Sequence, residues 1–377
     1  MKLNKIKKPH EIFAEITAVD SKAIDQFCSA MELDCTIQGA LMPDVHAGYT
    51  LPIGAVVKTQ GMIFPSWVGY DIGCGMLAIQ TDFDIQEIKD NAQAIYEMIN
   101  KTIPLGFNHR CRPHALSDLA IQRLSYCSQD MQDIFVLKKG ELQCGTLGGG
   151  NHFIEIGYDE ESKIWIIIHS GSRGVGHGCA THYMKLASPT GKASEGHYGF
   201  DIDSINGENY HRDMAFCEQF ALLNREIMID EIMAGINELG INGVLIGFIN
   251  RNHNHAEVFK DGTIIHRKGA THAENGMMGV IPGNMRDGSF IVEGLGNPDS
   301  LCSSSHGAGR VLGRRVAKET LNVDDFADTM NGIVANVSDN TLDESPFAYK
   351  NIFQVMEDQE DLVKVHHHIK PILNVKG

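Results

Sequence analysis

The chain has 377 residues, 43% hydrophobic and 21% charged, a composition that fits a globular protein long enough for a large buried core. Lys and Arg total 32 against 48 acids, a net charge of −16, which excludes indiscriminate nucleic-acid binding over the whole surface but not a local basic groove. No apolar run approaches the ~20 residues of a membrane span, the basic N-terminus lacks the apolar core of a signal peptide, and the nine cysteines include no CxxC, so a cytoplasmic protein without a disulfide scaffold is expected.

In chain order, residues 36–81 read as short strands and turns rich in Gly and Pro. A helix is expected from Asp84 to Ile103, and 115–138 reads as largely helical. The glycine run GTLGGG (145–150) lacks the Lys-Ser/Thr of a phosphate loop and leads into the strand HFIEIG. KIWIIIH (163–169) and GVLIGFIN (243–250) are expected to be buried strands from their unbroken apolar character. Phe216, Phe220, Leu223 and Ile227 repeat at helical spacing within 210–239. Residues 256–300 return to short strands. A helix is expected to start just after HGAGR and run through Val316, with further helix at 323–336 and 351–365. Strands and helices alternate without βαβ regularity. The expectation is therefore an α+β fold, a single large domain over 1–377 with mixed sheets flanked by helices.

In PSWVGYDIGCGM, Asp71 and Cys74 stand three residues apart among glycines, two potential anions on a backbone free to turn tightly. The spacing suits a metal and also suits a plain turn. Four further clusters place polar donors at strand ends: Asn151 and His152 in GGGNHFIE, His169 in IWIIIHSGSRG, His253 in GFINRNHNHAE and His306 in LCSSSHGAGR. Neutral imidazole is the commonest metal donor, and strand ends in a packed sheet hold donors rigidly. One such histidine is ordinarily structural; the recurrence in one chain argues for a shared site. His152 and Glu155 point to opposite faces of a strand and so should do different jobs. The serines before His306 read as a helix entrance able to cradle an anion, and Arg173 and Arg310 as phosphate partners. Metals, histidines and arginines around a phosphate indicate phosphoryl or nucleotidyl transfer. His177, His182, His197 and the run HHH at 366–368 read as structural or surface residues.

MPDVHAGYTLPIGAV, VGYDIGCGM, GTLGGGNHFIEI, IHSGSRGVGH, HRKGA, IPGNM, SFIVEGLGN, SSSHGAGR, AYKN and the C-terminal VKG occur in that order. The chain resembles the RtcB-type RNA-splicing ligases over nearly its whole length. The resemblance implies a GTP- and manganese-dependent enzyme joining RNA 3′-phosphate or 2′,3′-cyclic phosphate ends to 5′-hydroxyl ends, with broken tRNA or rRNA as partner and an accessory protein left open. It implies two Mn²⁺ ions held by Asp71, Cys74, His152, His169 and His253, with the Cys74 thiolate bridging. It makes His306 the carrier of GMP, oriented by Asp44. Glu155 and Lys376 would hold guanine, Tyr349 would lie near the base, and Asn151, Pro282, Gly283, Asn284, Met285 and Ala308 would line the nucleotide. Tyr70, Asn252 and Gly313 depart from the family's usual residues, and 103–144 is shorter than in relatives. A hydrolase on the same scaffold, a phosphatase or cyclic phosphodiesterase without ligation, is the first alternative; a non-catalytic RNA- or ribosome-associated factor is the second.

Overall fold

The computed structural model describes residues 2–193 and 196–377 and shows an α+β fold. Its larger sheet has eight strands. The strand Gly75–Thr81 runs antiparallel between Ile164–Ser170 and Leu245–Asn252, and Ile164–Ser170 pairs on its other side with Phe153–Tyr158. The long C-terminal strand Val363–Lys376 follows Phe153–Tyr158, and then come Ser289–Gly294 and Met278–Pro282. The sheet curls into a near-barrel.

Both faces of its centre are covered. Leu77, Ile79, Ile154, Ile156, Ile166 and Ile168 pack with Met228, Ile232 and Ile236 of the helix Ile205–Glu238. Met76, Ala78, Phe153, Trp165 and Ile167 pack inward against Ile249, Val280, Ile291 and Ile369. This two-sided burial explains the unbroken IWIII run, since neither face meets water. Each fully buried isoleucine contributes roughly 1.5–3 kcal/mol, enough for the strands to carry polar residues at their ends. The smaller, five-stranded sheet is built from His10–Ile12, Thr36–His46, Ile53–Gln60, Thr263–Lys268 and Asn254–Val258.

Several sequence expectations need correction. The helix expected over 84–103 is two, Ile85–Asp90 and Ala92–Thr102, and 115–138 holds Ser117–Leu124 and Gln129–Leu137. The serines before His306 form not a helix entrance but a strand, Ser303–Ser305, paired with Ala270–His272. Three buried hydroxyl side chains fit the close approach of this ladder better than a helix start exposed to solvent. The next helix begins only at Arg314 and ends at Thr320. Gly313 is its N-cap without a side-chain hydrogen bond, the bond a serine there would supply. The helix at 323–336 stops at Thr329, and the one at 351–365 spans Ile352–Glu357 before the C-terminal strand takes over. The apolar strand at 243–250 lies at a sheet edge as Leu245–Asn252, with Leu245, Ile246 and Phe248 exposed; an apolar run does not reveal whether a strand has two neighbours. Among the described residues no helix is long and apolar enough to cross a membrane.

Candidate metal and nucleotide site

Register assembles the metal-ligating groups. Gly75 lies opposite both Ser170 and Asn252, and Met76 opposite His169. Cys74, one residue before the central strand, therefore sits where its two neighbours deliver His169 and His253. The His253 amide donates to the Cys74 carbonyl at 2.7 Å. Phe153 lies opposite His169, which brings His152 to the same strand ends.

The donor atoms form two clusters that share one sulfur. Asp71, Cys74 and His152 make the first, and Cys74, His169 and His253 the second. Cys74 Sγ lies 3.5 Å from His152 Nε2 and 3.2 Å from His169 Nε2. His152 Nε2 is 3.0 Å from Asp71 Oδ2, and His169 Nε2 is 3.3 Å from His253 Nε2. His152 Nδ1 donates to the Leu147 carbonyl at 3.0 Å and His169 Nδ1 to the Asn151 carbonyl at 3.1 Å. A carbonyl only accepts, so these nitrogens carry the protons and both Nε2 atoms present lone pairs inward. Arg173 also approaches His152 Nδ1, at 3.2 Å; the shorter contact to the pure acceptor decides the tautomer.

Burial dominates the electrostatics. It drives His169 and His253 well below the ordinary histidine range, with neighbouring imidazoles adding to the effect. It drives the Cys74 thiol well above the usual range, reinforced by Asp71. Burial also pushes the Asp71 carboxyl up, but His152, whose ring donates to it from Nε2 when doubly protonated, and the Arg173 charge prevail and hold it at about 2. Three imidazoles, a carboxylate and a shared sulfur, with their ligating atoms converging in two clusters, fit two divalent cations about Cys74. Softness alone admits zinc or cobalt as well as manganese.

Two braces of this centre were not singled out from sequence. Arg225, fully buried in the helix Ile205–Glu238, donates to Asn250 Oδ1 at 2.7 Å, Asn252 Oδ1 at 2.7 Å, the Ser170 carbonyl at 2.7 Å and the Gly73 carbonyl at 3.1 Å. It ties together the three strand ends that carry the donors, and gives Asn252 its role. Its neighbour Asn224 accepts from the amides of Gly145 and Thr146 at 2.8 and 3.0 Å. Asn224 and Arg225 lie buried on this helix beside Phe220, Ala221 and Ile227, and polar residues on the apolar face of its helical repeat were the available signal. The glycine run has a spatial purpose: Gly148 has φ +90°, and a Cβ there would fall 2.0 Å from the Arg173 guanidinium. Arg173 itself adopts φ +56°, and its buried Nε has no hydrogen-bond partner among the described residues.

His306 stands at the end of Ser303–Ser305, its ring 4.9 Å from that of His253. His306 Nδ1 lies 2.6 Å from Oδ2 of the fully buried Asp44, which also accepts from the His306 amide at 3.2 Å. Nδ1 therefore holds the proton, and Nε2 is left as the basic nitrogen. A cavity runs from His306 past Asn151, Pro282, Gly283, Asn284, Met285 and Ala308 to Glu155, Tyr349 and Lys376. The structure thus brings every residue expected to touch the nucleotide to one pocket, and His46, Arg314 and Asn374 join them.

At the pocket's far end, Glu155 accepts from Ser289 Oγ at 2.9 Å and Asn374 Nδ2 at 3.3 Å. Burial lifts its carboxyl to about 7 despite those bonds and the Lys376 charge. Glu344, absent from the sequence candidates, is the hub beside it. It takes Lys376 Nζ and the Tyr349 hydroxyl on Oε2, both at 2.7 Å, and Arg314 at 2.7 Å and Arg310 at 3.2 Å on Oε1. Burial works against its charge, yet Lys376 and Arg314 hold it at about 2. Arg310 also donates to the Asp343 carbonyl at 2.6 Å; its fork is engaged by this network rather than open toward a phosphate. Nothing near Glu344 in sequence marks it as a hub.

A fold with paired clusters of metal-ligating side chains at strand ends and an enclosed pocket beside a carboxylate-held histidine defines a class, and the sequence comparisons place the chain in it. Residues 26–377 match the family described as tRNA-splicing ligase RtcB, and the chain belongs to that family. It is 35% identical over 372 residues to the RNA-splicing ligase RtcB of Escherichia coli strain K12, covering 90% of each chain. It is 28% identical over 426 residues to the tRNA-splicing ligase RtcB of Nanoarchaeum equitans, covering 89% of this chain and 87% of that one.

Proposed function

We propose that the protein is a GTP-dependent RNA ligase that joins an RNA 3′-phosphate or 2′,3′-cyclic phosphate end to a 5′-hydroxyl end in the cytoplasm, in repair or splicing of broken tRNA or rRNA. Family membership supports RNA ligation. The observation that carries the finer reading is His306: a histidine with Nδ1 held by a buried carboxylate, between the paired metal-ligating clusters and a pocket ending at Glu155.

A 3′-phosphate monoester is a poor electrophile until it carries a leaving group. His306 Nε2 would attack the α-phosphorus of GTP and expel pyrophosphate, giving a histidine–GMP phosphoramidate. The RNA 3′-phosphate would then take GMP from His306 and form a pyrophosphate linkage. The 5′-hydroxyl would attack the RNA phosphorus and expel GMP, so that a phosphodiester forms as the pyrophosphate bond breaks. Asp44 fixes the reactive tautomer of His306 and offsets the positive charge the ring acquires. Glu155 can accept from guanine N1 and N2, which adenine does not offer, and Lys376 and Tyr349 lie beside it. Manganese at the Asp71, Cys74, His152, His169 and His253 cluster would neutralise phosphate charge and assist opening of a cyclic phosphate.

Radiolabelled GTP tests this reading. The expected result is label that stays with the protein in denaturing gels, is acid-labile and alkali-stable, and maps to His306. Hydrolysis of RNA 3′-phosphates without any such label would favour the hydrolase. Label on Lys376 or another residue would remove His306 from its role.

A further inference from the structure

Two grooves besides the nucleotide pocket reach the metal-ligating cluster. One is lined by Tyr49, Tyr70, His253, Lys268 and His306. The other is lined by Tyr70, Phe107, His152, Arg173 and His177. Tyr70, Asp71 and Asn151 line both, so the grooves approach the same point from two sides and Tyr70 marks where they meet.

An aromatic array sits at that divide. Tyr70 stacks on His177, with ring centres 4.8 Å apart and planes 18° apart. It meets Tyr49 edge to face at 5.6 Å and 86°. Tyr70 is half-buried, whereas Tyr49, in the loop between Thr36–His46 and Ile53–Gln60, is 73% exposed. Tyr70 thus has a ring against it on two sides, and Tyr49 is the ring left open to the groove. The same groove carries Lys268, Arg310 and Arg314 beside Asp20 and Asp71; Arg310 and Arg314 are paired with Glu344, so the open ring of Tyr49 rather than free charge is what this groove offers a base. An open aromatic ring gives any unpaired nucleobase a face to stack on, without regard to sequence.

We infer that Tyr49 is a stacking surface for the nucleobase next to the RNA 3′-phosphate, and that Tyr70, backed by His177, positions it. The inference rests on the ligase reading above. The assignment to the 3′-phosphate strand follows from topology. Of the two grooves, the one with Tyr49 also holds His306, and the phosphate that takes GMP from His306 has to reach that ring; the Phe107 groove does not contain His306.

The test uses the manganese-loaded protein and a short RNA carrying 2-aminopurine as the nucleotide that bears the 3′-phosphate. Binding should quench its fluorescence. Tyr49→Ala should remove the quench and raise Kd about tenfold, the scale of one lost base stack, and Tyr49→Phe should restore both. Tyr70→Ala should weaken the quench, and Tyr70→Phe should keep it. Tyr49 is exposed, so its variants should fold. An unchanged quench in Tyr49→Ala, or a Tyr49-dependent quench only when the probe is at a 5′-hydroxyl end, would overturn the assignment. Labelling with radioactive GTP separates the two levels. Wild-type protein that never acquires label defeats the ligase reading and this inference with it; protein that is labelled and joins RNA without a Tyr49-dependent quench defeats this inference alone.

Discussion

The metal-ligating centre and the pocket that runs from His306 to Glu155 are both buried and polar, but they solve the problem of burial in opposite ways. At the centre, Nε2 of His169 lies 3.3 Å from Nε2 of His253 and 3.2 Å from Cys74 Sγ, and His253 Nδ1 has no partner among the described residues. Converging ligating atoms without a counter-charge on either of these imidazoles suit a cation. Behind the pocket wall, Glu344 is met by the lining residues Lys376, Tyr349, Arg310 and Arg314. That network is complete in the protein alone. The first region thus leaves ligating atoms open to a cation, whereas the second is a wall preorganised by its own counter-charges.

The largest expected break is at Cys74, because both clusters share its sulfur. Cys74→Ala should lose most bound metal and all ligation while the fold survives; full metal occupancy by elemental analysis in the folded variant would refute the sharing. His306→Ala should abolish GMP labelling yet keep near-normal manganese binding, since His306 is anchored on Asp44 rather than among the donors. That variant should still seal RNA supplied with a preformed 3′-pyrophosphoryl-guanosine end, and failure on that substrate would show His306 acting later as well. Glu344→Ala removes the partner of several buried cations and should cost about 3–5 kcal/mol in denaturant unfolding without emptying the metal site. A loss below 1 kcal/mol would mean the network is not preorganised.

Glu155→Gln should lower the preference for GTP over ATP by about tenfold and leave metal content intact, read from competitive labelling. A change spread over several pH units separates the two carboxylates. Glu155 is raised from 4.5 to about 7, so its contribution to stability is full below pH 4.5 and is lost as pH rises through about 7. Glu344 is lowered from 4.5 to about 2, so its contribution is present above 4.5 and is lost as pH falls toward 2. Each limb spans up to about 3 kcal/mol. Glu155→Gln should flatten only the neutral limb of a stability–pH curve, and Glu344→Gln only the acid limb.

The sequence by itself determined the donors. Asp71, Cys74, His152, His169 and His253 stand out because strand ends next to apolar runs seldom carry so many ligating groups, and the structure brings them within reach of one another. It also determined the strands whose two-sided burial leaves an unbroken apolar signature, and the opposite facing of His152 and Glu155. Tertiary structure alone decided the rest. Arg225 and Glu344 act through partners far along the chain, and no local pattern marks a charge whose counter-charges arrive by folding. Ser303–Ser305 became a strand because Ala270–His272 lies beside it, overriding a local resemblance to a helix start. Leu245–Asn252 became an edge for the converse reason. A strand's neighbours, like an ion network's members, are set by register between distant segments, and register is a property of the assembled sheet.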